Sequence, residues 1–340
     1  MNDTYDLVVV GDGIAARCLL WHIASDEEYC KSKKILHIAS DDFYPACTKR
    51  TTSVVSYGSH QKGISELGDL LVDSLEAFDQ FISINSPDGI TLSSQFYLFP
   101  KSEEKIEQFK SRYNDFSIFE GNQCAVGPCA IINSKELNEW FKKGFSEKFK
   151  HYTKLEDIVV NLDKLSSSLN TRENGTILFR KAIVCTGAYT SLLHQDRILA
   201  DGKAVSGSYF EWRDIELNRD SFVLSQGHFN IIYRAHEKLM LFGGTSFDGM
   251  VFDHYKKELR DNYLAMSSYL PGLDLPDIQQ AKVLTGIRHK GKKRMPQFIN
   301  EGNILFFNGL YKNGFSFPFF FAKKLLLQNG EDLANLKVHF

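Results

Sequence analysis

The chain has 340 residues, 43% of them apolar and 24% charged, the composition of a globular protein large enough to bury a substantial core and form two lobes. Its formal net charge of −2 argues against a general nucleic-acid binder or a membrane-surface binder. No apolar run reaches the roughly eighteen residues of a membrane span, and the first strand starts so early that no signal peptide fits before it, so a cytoplasmic location is expected.

The first predicted element is a strand. Leu7–Val10 is an unbroken apolar run, as a parallel strand buried on both faces requires. It leads into Gly11-Asp-Gly-Ile-Ala-Ala16. Gly11 allows a tight turn, Gly13 lets the backbone approach a pyrophosphate, and Ala16 stands in for a third glycine while still permitting close helix–strand packing. The helix predicted from about Ile14 to Ala24 would aim its first amides, on Ile14, Ala15 and Ala16, and its positive dipole end at the phosphates. The second strand, Lys34–Ala39, lacks the acid that grips a ribose at this point. Ser40 or Asp41, with Asp42 beside them, takes that role, or the adenosine is held less tightly.

Cys47–Gly58 is rich in hydroxyls and small residues and is either a cofactor-contacting segment, through Arg50, Thr51, Thr52 and Ser53, or a Ser/Thr-rich surface loop. Gly68–Ile84 reads as an amphipathic helix with Leu71, Leu75, Phe78 and Ile82 on one face. A strand is expected at Gln95–Phe99 and helices at Glu103–Tyr113 and Leu137–Phe149, the last preceded by the cap signal Asn133-Ser134. Lys181–Ala188 is a buried strand ending in Thr186-Gly187, suited to a second backbone approach to a cofactor. Val205–Trp212, Asn230–Arg234 and Leu239–Gly244 alternate like strands of an antiparallel sheet. Leu284–His289 and Asn303–Asn308 are expected to return to the first lobe, and the aromatic stretch Phe315–Phe321 to lie in the core.

The expected fold is thus α/β (α+β): a Rossmann-like lobe made of 1–85, 135–204 and 281–340, interleaved with an antiparallel-sheet substrate lobe made of 86–134 and 205–280. The six cysteines form no Cys-x-x-Cys pair, and the ten histidines show no zinc spacing, so no metal is expected. Cys124 and Cys129 could form a disulfide or metal pair, but a cytoplasmic location favours reduced thiols in a loop.

Two glycine-marked segments lie almost at opposite ends of the chain: Gly11–Ala16 and Gly309-Leu-Tyr-Lys-Asn-Gly-Phe-Ser316. Together they suggest one nucleotide cofactor gripped by both ends, and so a flavoprotein. These segments, with Thr51-Thr52-Ser53, the Ala182–Ala188 strand and Gly286-Ile-Arg288 placed eight residues before Pro296, resemble the D-amino-acid oxidase superfamily, and most closely its glycine oxidase and sarcosine oxidase branch. The resemblance spans nearly the whole chain. It implies non-covalently bound FAD and oxidation of a carbon–nitrogen bond in an amino acid or amine. It places Gly309, Lys312, Asn313, Gly314, Phe315 and Ser316 along the pyrimidine side of the flavin, where Lys312 adds positive charge. It makes Arg288 the anchor of a substrate carboxylate, a task suited to a two-pronged donor, against the alternative of a structural arginine bonded to nearby carbonyls. The arginine would orient the substrate so that its α-hydrogen faces flavin N5, with positioning supplying most of the rate.

Tyr209, Tyr233, Ser246 and Phe247 are substrate-lobe candidates by strand position alone. The chain departs from the superfamily between Arg288 and Pro296, where His289-Lys-Gly-Lys-Lys-Arg-Met295 keeps a glycine but no acid. This basic cluster is a solvated loop or a docking surface for an acidic partner. Three functions remain in view: oxidation of a small-molecule amine or amino acid, oxidation of a side chain in a partner protein during maturation of its quinone cofactor, and modification of tRNA. The absence of a broad basic face counts against the third.

Overall fold

The computed structural model describes residues 4–40, 47–58, 62–99, 103–190, 202–251 and 256–327. Two large mixed sheets dominate it. The first contains β1 (Thr4–Val10), β2 (Lys34–Ala39), β7 (His151–Glu156), β8 (Val159–Asp163), β9 (Ser168–Thr171), β10 (Gly175–Val184), β17 (Gln297–Glu301) and β18 (Ile304–Asn308). The second contains β3 (Val54–Ser56), β4 (Ile90–Leu98), β5 (Asp115–Phe119), β6 (Asn122–Ile132), β11 (Lys203–Trp212), β12 (Phe222–Gln226), β13 (Phe229–Arg234), β14 (Leu239–Gly243), β15 (Phe247–Asp248) and β16 (Lys282–Lys290). The described helices are α1 (Ile14–Ile23), α2 (Glu27–Ser32), α3 (Glu66–Asn85), α4 (Glu103–Lys110), α5 (Ser134–Ser146), α6 (Lys256–Ser267) and α7 (Phe317–Leu327).

The first sheet runs β17-β18-β10-β1-β2-β7, with β1 parallel to both β10 and β2. Its centre is buried on both faces because its residues alternate between two cores. Leu7 and Val9 pack with α1, α3, α5 and α7, whereas Val8 and Val10 pack with Val159, Leu162 and Leu169 from the β8–β9 side. The helical face is aromatic: Phe78, Phe81, Phe141 and Phe319 stack on one another at centroid distances of 4.6–6.2 Å. Burying each such ring contributes roughly 2–3 kcal/mol. Pro318 sits in the first turn of α7, where a missing N–H costs nothing, and this is why an aromatic run interrupted by proline still forms a helix. Asn133 caps α5 by accepting from the amides of Lys135 and Glu136.

Three expectations change here. Lys282–Lys290 does not return to the first sheet; it pairs with β11 over nine residues, from Lys203↔Lys290 to Glu211↔Lys282. Its apolar pattern suits either sheet, and only a partner distant in sequence decides between them. The second sheet is not purely antiparallel, because β4 and β12 pair in parallel. Cys124 and Cys129 are buried within β6 rather than in a loop. Five residues of strand hold them roughly 16 Å apart, well beyond disulfide reach.

Candidate active site

The turn after β1 is shaped by close approach. Gly11 has φ +115°, and a side chain there would put its Cβ 2.6 Å from the Cys185 carbonyl oxygen. Gly13 precedes α1, and a Cβ on it would meet only Thr48 Oγ1, at 3.2 Å. No side chain caps α1, but Thr48 Oγ1 accepts the Ile14 amide at 3.2 Å. The turn is braced from beneath. His37 Nε2 donates to the Gly11 carbonyl at 2.8 Å and its Nδ1 then accepts from the Tyr152 hydroxyl, also at 2.8 Å. Burial, opposed by the nearby Asp12 carboxylate, lowers the pKa of His37 and keeps the ring neutral. Arg17 is 8% exposed; it lies 2.7 Å from the Asp12 carboxylate and donates to the Asn138 carbonyl at 2.7 Å, tying the turn to α5.

A cleft opens above this turn. Its first part is lined by Gly11, Gly13, Ile14, Ala15, Ser40, Thr186, Gly187, Gly309 and Gly314, together with Arg288 and Tyr311. Its second part is lined by Arg50, Thr51, Thr52, Ser53, Tyr209, His228, Lys312, Asn313, Gly314, Phe315 and Ser316, again with Arg288 and Tyr311. The two ends of the chain therefore meet across one opening. Ala16 lies fully buried behind it, where a small residue lets α1 approach the sheet.

The residues fit a dinucleotide with a flavin at one end. The amides of a helix N-terminus face the cleft beside two glycines, the Ser40 residue sits past the end of β2, and an added Cβ at Gly187 or Gly314 would meet only open space. Asp41 and Asp42 lie outside the described residues.

The structure also separates some candidates from the cleft. Tyr233 is 2% exposed in the core of the second sheet, with its hydroxyl accepting the Leu217 amide at 3.0 Å, and it does not line the opening. Ser246 is exposed at the rim and lies 3.2 Å from the Tyr311 hydroxyl, oxygen to oxygen. Phe247 is exposed beside it on β15. Tyr209 lines the second part of the cleft, and burial lifts its hydroxyl well above the ordinary tyrosine range.

Arg288 lies where the two parts join. Its guanidinium donates to the Thr245 carbonyl at 3.3 Å and stands 5.3 Å from the centre of the Tyr311 ring. No Asp or Glu lines the second part of the cleft among the described residues. Burial raises the Tyr311 hydroxyl and its contact with Ser246 together with Lys312, Arg288 and Lys290 lowers it, the net shift being downward.

Sequence reasoning missed Thr48, His289 and Asn308. Asn308 Oδ1 accepts the Gly187 amide at 2.9 Å and its Nδ2 donates to Thr190 Oγ1 at 2.7 Å, locking the end of β18 to the turn after β10. His289 Nδ1 accepts the Gly309 amide. Thr48 carried a weak signal, its place in the hydroxyl-rich segment. The other two carried none, because each acts on a backbone far away in sequence.

A sheet-and-helix lobe with a glycine-lined cleft, joined to a second sheet that closes over one end of that cleft, defines the Rossmann-like α/β class expected from the sequence. The sequence matches no protein-family model and no curated protein. Solved structures do match. Glycine oxidase from Geobacillus kaustophilus has a TM-score of 0.75 at 17% identity, with 100% of each chain covered. L-proline dehydrogenase from P. horikoshii gives 0.74 at 13% identity, covering 96% of this chain and 94% of that one. Glycerol-3-phosphate dehydrogenase from Bacillus halodurans, solved in complex with FAD, gives 0.64 at 14% identity over 96% of this chain and 65% of that one. At these identities the likeness is one of fold: this chain has the fold of those oxidases and dehydrogenases.

Proposed function

We propose that the protein is an FAD-dependent oxidoreductase that oxidises a carbon–nitrogen bond of an amino acid or small amine. The observation that supports the reading is the continuity of the cleft from the Gly11–Gly13 turn to Arg288, so that a glycine turn before a helix and an arginine line one opening. The similarity of fold to a glycine oxidase and a proline dehydrogenase supports it.

When bound, FAD supplies the hydride acceptor for such a bond. The chain's own residues do the rest. Gly11, Gly13 and the first amides of α1 hold the pyrophosphate, and Ser40 meets the ribose. Thr186 and Gly187 approach from β10, while Arg50, Thr51, Thr52 and Ser53 contact the ring side. Gly309, Lys312, Asn313, Gly314, Phe315 and Ser316 line the pyrimidine side. Arg288 grips the substrate carboxylate, and its bond to Thr245 fixes the angle at which it does so. Tyr209 and Tyr311 shape the walls around the amine, and Ser246 at the rim braces the Tyr311 hydroxyl. The lobe boundaries expected from the sequence form part of this reading, with Val54–Ser56 and Lys282–Lys290 moved to the substrate side because they pair in the second sheet.

Binding is non-covalent in this reading. Cys47 and Cys185 line the cleft, but burial pushes both thiols up, Cys185 to about 12, and Arg288 only partly offsets the effect at Cys47. Acid precipitation should release all flavin into the supernatant. Anaerobic mixing with a panel of glycine, sarcosine, proline and D-amino acids tests the activity: bleaching of the flavin by one of them supports the reading, and a flavin that no amine bleaches overturns it.

A further inference from the structure

Arg288 and Lys290 are two residues apart on β16 and so share one face of the strand. Both stand over the ring of Tyr311, with the guanidinium carbon 5.3 Å and the ammonium nitrogen 5.5 Å from its centre. Lys312 approaches the same ring at 5.9 Å. Three cations therefore surround one tyrosine that lines the cleft; Arg288 and Lys312 line the cleft too, and Lys290 reaches it over the Tyr311 ring. Among the described residues none of the three has a carboxylate within ion-pair distance. Asp248, whose carboxyl Lys203 holds down with help from Lys290, is already paired with Lys203. His228, which also lines the cleft, is held below its ordinary range by burial first and Lys312 second, against the opposing pull of Glu258.

Positive groups this close repel one another, and in a partly desolvated cleft the repulsion is weakly screened. Such a cluster is stabilised when an anion arrives. A simple amino acid brings one carboxylate, which Arg288 takes; Lys312 faces the pyrimidine side of the flavin, and the Lys290 ammonium over Tyr311 is left without a carboxylate partner among the described residues. We infer that the substrate carries a second acidic group, and that Lys290 receives it while Arg288 holds the first. The substrate class is an amine with two acidic groups, such as an amino dicarboxylate or an N-carboxymethyl amino acid. This rests on the oxidation of an amine in the same cleft and adds the charge of the molecule oxidised.

Inert anions test it without turnover. Malonate, succinate and glutarate are titrated calorimetrically against the FAD-loaded protein, with acetate and propionate as single-charge controls. At least one diacid should bind about tenfold or more tightly than either monoacid, since a second charge-assisted contact of ordinary strength is worth that factor. In K290Q the ratio of diacid to monoacid affinity should fall towards one. Equal binding of both classes, or a preference that survives K290Q unchanged, overturns the inference. A parallel bleaching panel sets iminodiacetate and the two enantiomers each of aspartate and glutamate against glycine and sarcosine. Faster bleaching by monoacids overturns the second-anion claim alone. If no amine bleaches the flavin, amine oxidation itself falls, and the anion titration still decides what the three cations bind.

Discussion

His289 and Gly309 are joined by a hydrogen bond across the back of the cleft: the Gly309 amide donates to His289 Nδ1 at 3.1 Å. An acceptor nitrogen there fixes the tautomer, with the proton on Nε2. The ring is 4% exposed, and burial lowers its pKa to about 4.

Stability should follow from that shift. In the unfolded chain this histidine takes a proton near pH 6.5, whereas the folded one resists until about 4. The unfolded state then binds more protons in that interval, so stability present above pH 6.5 is lost as pH falls towards 4, on the order of 3 kcal/mol at most. His289→Asn keeps an acceptor for Gly309 and cannot titrate. Urea melts of both proteins between pH 7.5 and 4.5 should show a flatter dependence for the variant; parallel curves would refute the assignment.

Gly11 and Gly13 should separate folding from cofactor binding. Gly11→Ala forces a Cβ to 2.6 Å from the Cys185 carbonyl at a φ of +115°, and should cost more than about 2 kcal/mol. Gly13→Ala meets only the Thr48 hydroxyl, so its thermal midpoint should stay near that of the parent while FAD affinity drops by about tenfold or more. Thermal melts and flavin fluorescence titration read the two effects independently.

The part of this site that could be read in the sequence is the part built from neighbours. The strand, turn and helix of residues 7–23 follow from local pattern, because each residue's role there depends on residues next to it. The β5–β6 hairpin was not legible. Phe116 and Ile118 face solvent, and Gly127-Pro128 reads as a turn although β6 runs straight through it. The proline is tolerated because, although β4 pairs through it, its ladder groups face the opposite edge, where pairing with β5 ends at Val126 and pairing with β3 begins only at Cys129. Likewise nothing near β16 announces that its partner is β11, seventy-odd residues earlier.

Arg17 is a structural arginine, and its loss should be expensive. Arg17→Met removes the partner of the Asp12 carboxylate, whose side chain is 15% exposed, and the donor to Asn138. The expected loss is about 3 kcal/mol. Adding Asp12→Asn should return part of it, because the stranded charge is then gone. A double-mutant cycle by denaturant melts measures the coupling, and strictly additive effects would exclude it.

Arg288→Lys tests the carboxylate anchor. A lysine keeps the charge and loses the two-pronged geometry, so kcat/KM for the amine substrate should fall by about 100-fold, chiefly through KM. Unchanged kinetics would return Arg288 to a purely structural role through Thr245.

The order of the first sheet has a consequence for synthesis. The earliest strand, β1, pairs with β10 and β2, and β10 in turn takes β18 from near residue 306. On the ribosome the nascent amino-terminal segment must wait for nearly three hundred further residues before its sheet gains its last neighbours. At translation rates of about 5–20 residues per second that wait lasts tens of seconds, and for its last 120 or so residues, about 6–24 s, the Ala182–Val184 stretch of β10 presents an open edge. A chain arrested before β18 emerges should therefore depend on chaperones far more than the released protein does.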